Sequence, residues 1–163
     1  MLNQSLIPEF QHEASSTKKI LERVPSDKFG WKPHEKSMTL GRLASHIAEI
    51  PDWMTVTLTT NELDFAKGDY KFTVPANKEE LLTKFQESYE KAMEQLKAAT
   101  DENLLGKWTL RNGDHVIFTL PRIATLRSFV MNHFIHHRGQ LSVYLRLLDV
   151  PVPGMYGPTA DEQ

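Results

Sequence analysis

Cysteine is absent from all 163 positions. Disulfides, a thiolate nucleophile and thiolate metal ligands are thereby excluded, and any metal must be held by histidine, carboxylate or water. No apolar run approaches the roughly 20 residues of a transmembrane helix. The opening Met1-Leu2-Asn3-Gln4-Ser5 lacks the basic and hydrophobic regions of a signal peptide, so the expected location is the cytoplasm. Runs of Lys or Arg are missing too, and the net charge is −2, which gives no electrostatic footprint for nucleic acid. What remains is 40% apolar and 25% charged, an ordinary globular composition. At this length, residues 1–163 are expected to form one domain around one core. There is no internal repeat and no low-complexity segment.

Helical periodicity dominates the chain. Leu6, Phe10, Ala14, Thr17, Leu21 and Val24 share a face of a first helix over Ser5–Val24, with Pro8 in its first turn, where the missing N–H costs little. Residues 25–38 are rich in turn formers, with Trp31 pinning the connection. A second helix opens at Ser37 or Thr39 as cap, presents Leu40, Leu43, Ala44, Ile47 and Ile50, and should kink at Pro51. A polar connection follows over 61–76. Asn77-Lys78-Glu79-Glu80 reads as a capping box for a third helix ending near Ala99. Trp108–Arg111 and His115–Phe118 flank Asn112-Gly113, the signature of a hairpin with a type I′ turn. Pro121 opens a fourth helix, ending near Asp149, and the Pro- and Gly-rich tail beyond it wraps the body. The expected fold is all-α, a four-helix bundle with a small β-hairpin before the last helix; loop lengths leave its topology open.

The stripe Leu126, Val130, His133, His137, Leu141, Tyr144 and Leu148 places two imidazoles, four residues apart, in a line of core residues. They serve either as a buried hydrogen-bond network or as metal ligands, since that spacing lets two neutral rings converge on one ion. A third ligand is available in His46, which projects inward from the second helix between Leu43 and Ile50. Three protein nitrogens and one open position are the pattern of a catalytic metal site. Glu49 is a candidate acceptor beside His46, with a solvated surface carboxylate as its plain alternative. Around the pair, His136 and Gln140 are candidates to orient a ligand, and Arg138 is either that or a solvated surface group. Gly139 would permit close approach of another segment.

Other histidine patterns fail. Glu9-x-x-His12 lacks the second copy that a di-iron carboxylate bundle needs. His133 and His137 have the spacing of a zinc-protease motif, but position 134 is Phe, so its general base is missing. His34 and His115 are expected at the surface.

At Ser37–Ile47, Asn132–Leu141 and Val152–Glu162 the chain resembles the DinB / YfiT-like metalloenzyme family, over nearly its whole length. That resemblance implies a four-helix bundle, often a homodimer, with zinc or nickel on a three-histidine site that maps onto His46, His133 and His137. It also implies chemistry of the thiol S-transferase type, in which a low-molecular-weight thiol attacks a small electrophile. A hydrolase using metal-bound water and a non-catalytic dimeric stress-response module are the competing expectations. No nucleic acid and no membrane is expected as a partner.

Overall fold

In a computed structural model, residues 1–68 and 73–162 are described. Helix α1 spans Asn3–Leu21 and buries Leu6, Phe10, Ala14, Thr17 and Leu21, the face that the periodicity predicts. Helix α2, Leu40–Thr59, is capped by Thr39, whose hydroxyl accepts from the Arg42 N–H at 3.2 Å. Pro51 removes one donor inside α2, and the helix continues through it to Thr59. Helix α3, Lys78–Ala98, is capped by Asn77, which accepts from the Glu80 N–H at 2.9 Å. Glu80 reaches back one residue further than a capping box requires, to the N–H of Ala76. A short helix α4, Asp101–Leu105, follows with Thr100 as its cap. The last helical segment comprises α5, Arg122–Thr125, a wider π-helical turn over Leu126–Met131, and α6, Asn132–Leu147.

The all-α expectation needs correction. The fold is mostly helical, with a three-stranded sheet in the order β1–β2–β3. Strands β2, Lys107–Asn112, and β3, His115–Pro121, form the anticipated hairpin. Its turn is displaced by one residue: Asn112 pairs with His115, so Gly113-Asp114 is the loop. Gly113 has a φ of 60° and Asp114 is not among the positive-φ residues. Glycine at the first loop position alone is the type II′ pattern, in place of type I′. Strand β1, Glu62–Asp64, lies parallel to β2, at the start of the stretch read as a polar connection. Three residues are too few to show an alternation. Asp64 secures the join, since its Oδ1 accepts from the N–H groups of Gly113 and Ala66. The Gly113 bond is the main reason that its carboxyl titrates below the usual range.

Helices α1 and α2 each pack against both α3 and α6. Their shared core includes Phe10, Leu43, Ile47, Phe85, Phe134 and Leu141, and burial of each such side chain contributes about 1.5–3 kcal/mol. The sheet is fastened to the end of α2 by Arg122, which is buried. Its guanidinium donates to the carbonyls of Thr57, Thr60 and Lys107 and to Asn61 Oδ1. Gly106 makes room for it, because a Cβ there would stand 2.7 Å from Arg122 Nη1. Carbonyls at a helix C-terminus are its unpaired acceptors, and a cation answers both their hydrogen bonding and the dipole. Among the described residues, no helix is long and apolar enough to cross a membrane.

Candidate metal centre

The buried residues of α6 are Phe134, His137, Arg138, Leu141 and Leu145. His137 thus lies on the buried side of the helix and the partly buried His133 at its edge, both against His46 of α2. The two rings lie one turn apart, tilted by 51° with centroids 4.6 Å from each other, and His46 meets them at 5.0 Å and 4.6 Å. One candidate ligand nitrogen from each ring lies within 4.8 Å of the others. His46 Nε2 and His133 Nε2 are 3.2 Å apart. Two nitrogens bound tetrahedrally to one zinc ion at about 2.0–2.1 Å stand about 3.4 Å from each other, so this pair already has the spacing of co-ligands.

Tautomer and charge also suit a metal. His137 Nδ1 is 2.7 Å from Gln140 Oε1; an amide oxygen can only accept, so Nδ1 carries the proton and the Nε2 lone pair is left for coordination. Burial, then the charges that His137 and His133 would carry, hold His46 down to about 3. Burial, followed by His137 and His136, brings His133 to about 4. Burial also lowers His137, against the raising influence of Gln140. All three are thus neutral imidazoles with available lone pairs near neutral pH, the state in which histidine binds a metal. Among the described residues, His46 Nδ1 and His133 Nδ1 are buried without a partner, while their Nε2 atoms stand within hydrogen-bond distance of each other.

The other candidates fall out differently. Glu49 is mostly buried and bonds to Arg42 at 3.3 Å, so it is neither a solvated carboxylate nor a member of the cluster. Burial raises its carboxyl, against the Arg42 charge. His136 is exposed, with its ring 4.9 Å from that of His137 and outside the cluster. A Cβ placed on Gly139 would meet nothing within 4 Å, so no described segment approaches it. Arg138 is 2% exposed and forms an ion pair with Glu13 at 2.7 Å; it also donates to Tyr156 Oη at 2.6 Å and holds the tail. It neither lies at the surface nor faces the histidines. His34 and His115 are exposed, as anticipated, and so is His12.

One side of the centre was not anticipated as such. Trp53 sets its ring edge-on to His46 and His133, and Phe129 lies tilted at 4.8 Å from Trp53 and 5.9 Å from His133. The signal was present in the spacing: Trp53 is seven residues beyond His46 and Phe129 four before His133, so each shares its histidine's face.

Fold and site together define a mostly helical protein with a small sheet and a triad of neutral imidazoles that could hold a metal ion. The chain belongs to the DinB family, whose model matches residues 1–163. It is 24% identical over 156 residues to the uncharacterized protein YrdA of Bacillus subtilis (strain 168), covering 96% of this chain and 89% of that protein. Two crystal structures share the fold. A DinB-like protein from Bacillus cereus ATCC 10987 superposes with a TM-score of 0.74 at 25% identity, over 94% of this chain and 97% of the other. The DinB-like protein YjoA from Bacillus subtilis gives 0.69 at 22% identity, over 90% and 95%.

Proposed function

We propose that the protein is a metal-dependent enzyme of the thiol S-transferase type, with a divalent ion, zinc or nickel, on His46, His133 and His137. The observation that carries this reading is the convergence of three neutral imidazole nitrogens within 4.8 Å and no carboxylate in their cluster among the described residues. Three nitrogens leave a coordination position open, the arrangement of catalytic sites, whereas a structural site is closed by four ligands. When bound, the ion supplies Lewis acidity that lowers the pKa of a coordinated water or thiol.

The chain's own residues do the rest. Gln140 fixes the His137 tautomer, Arg42 takes up the Glu49 charge, and Trp53 and Phe129 keep water from one side of the imidazoles. The reaction class is substitution at a small electrophile: a sulfur–carbon bond forms from a low-molecular-weight thiol, the bond to the leaving group breaks, and that group departs with the thiol's proton. A homodimer in the cytoplasm is part of the same proposal.

The test is metal content of protein purified without a histidine tag, by inductively coupled plasma mass spectrometry, beside His137→Ala. About one zinc or nickel ion per chain, lost in the variant, is expected. No ion after incubation with either metal would overturn the reading. With metal established, consumption of a thiol such as cysteine or glutathione by 1-chloro-2,4-dinitrobenzene tests the transferase chemistry.

A further inference from the structure

A cleft of about 230 Å³ opens where α2 packs on α3, with residues 73–75 along its third side. Helix α2 lines it with Ser45 and Glu49, and α3 with Glu80 and Lys84. Each pair is four residues apart, so each helix presents both side chains on one face. None of the three clustered histidines lines it. Ser45 is 1% exposed, and its Oγ is buried without a partner among the described residues. A serine hydroxyl inside a helix can turn to the carbonyl one turn back. This one does not, and an unmet hydroxyl is left in the wall of the cleft.

Charge and shape together choose the ligand. Glu49 gives Oε2 to Arg42 at 3.3 Å, yet burial, against that charge, still holds its carboxyl above the usual range. Its negative charge is therefore under-compensated. Glu80 gives Oε2 to the Ala76 N–H, and Lys84 is committed to Asp52 at 2.8 Å. What the cleft has left to offer is acceptors: the Ser45 hydroxyl and one oxygen each of Glu49 and Glu80. A primary ammonium carries three donors and no acceptor, one for each of them. Two carboxylates and a hydroxyl are too few for calcium, which takes about six to eight oxygens. The group with the spacing for a metal among the described residues is the histidine triad. Val74 and Pro75 also line the cleft and give it the apolar wall that the body of a ligand packs against.

We infer that this cleft binds a primary ammonium group on a short aliphatic stem, with Ser45, Glu49 and Glu80 accepting its N–H bonds and Val74 and Pro75 holding the stem. A free amine and a partner protein's lysine side chain share that chemistry. The site is separate from the three histidines and stands whether or not they hold a metal.

The test uses the full-length protein, metal-free in chelator at pH 7, and follows the backbone amide signals of Ser45 and Val74 by ¹H–¹⁵N NMR. The probes carry one butyl group each: n-butylammonium, neutral 1-butanol and anionic pentanoate. The expected result is a saturable shift of both signals by n-butylammonium, with a dissociation constant at least about ten-fold lower than for either other probe. Ser45→Ala, which suits a helix, should raise that constant about five-fold, and Glu49→Gln about ten-fold. Lys84→Gln removes a cation from the partly exposed rim and should lower it. Equal affinity for pentanoate, indifference to Ser45→Ala, or weaker binding in Lys84→Gln overturns the inference. Signals that no probe moves overturn it too, and leave the cleft to water alone. Nα-acetyllysine amide then separates the two sources: tighter binding than n-butylammonium assigns a protein lysine, weaker binding a free amine.

Discussion

His137 stands on both structures that the centre needs, the cluster and the bond that orients it. Its Nδ1–H is taken by Gln140, so the lone pair it offers is fixed by an amide rather than left to tautomeric exchange. Removing the orienting partner of a metal-bound histidine typically weakens metal affinity by about 10–100-fold. Gln140→Leu is therefore expected to keep the stoichiometry of one ion and to raise the dissociation constant by about that factor, measured by competition with a chromophoric chelator. His46→Ala, His133→Ala and His137→Ala should each abolish stoichiometric binding while leaving the far-ultraviolet dichroism helical. Full affinity in any of the three would strike that residue from the ligand set.

Arg138 carries the corresponding argument for the elements. It joins α6 to α1 through Glu13 and to the tail through Tyr156, which itself donates to the Glu13 carboxylate. Both charges lie almost fully inside, at side-chain exposures of 2% and 8%. Breaking a buried pair from one side strands the other charge and costs about 3–5 kcal/mol, while replacing both by apolar groups of similar volume is often neutral. In urea denaturation, Arg138→Met should lose about that much, and Arg138→Met with Glu13→Leu should recover most of it. Additive losses would mean the pair is not coupled. This residue also marks where sequence reading stops. The stripe through His133, His137 and Leu141 was legible because two rings among leucines stand out, and the caps at Thr39 and Asn77 because their residue types are specific. Which of two adjacent stripes on α6 lies deeper depends on the angle at which the helix meets its neighbours, and those are α2 and α1. An arginine at a core position reads as surface until Glu13, 125 residues away, supplies its partner.

At the scale of the whole molecule, the helices were legible through period and caps, and the sheet only in part. β2 and β3 are adjacent in sequence and advertise their turn, whereas β1 is three residues long and pairs with a strand beyond α3 and α4. The site spans the same distance: His46 and His133 are 87 residues apart, and only the packing of α2 on α6 joins them. That packing confines three imidazoles in a partly desolvated seam, and the cost shows in the dependence of stability on pH. Unfolded, each histidine takes up a proton near its ordinary value of 6.5; folded, His46 does so at about 3 and His133 at about 4, and His137 is also lowered. Between those limits the unfolded chain binds more protons, so the free energy of unfolding rises with pH and falls as pH drops from about 6.5 towards 4. Glu49 works in the opposite direction, because its raised carboxyl takes up a proton earlier in the folded state, but it is one group against three. For metal-free protein kept in chelator, melting temperature should hold steady from pH 8 to about 7 and then decline continuously to pH 4.5. His46→Gln and His133→Gln should each flatten that decline. A bound ion competes with protons for the same nitrogens, so zinc-loaded protein should hold its melting temperature to lower pH before the two curves meet. A metal-free profile flat between pH 7 and 5 would mean that the three rings are more hydrated than their seam between α2 and α6 implies.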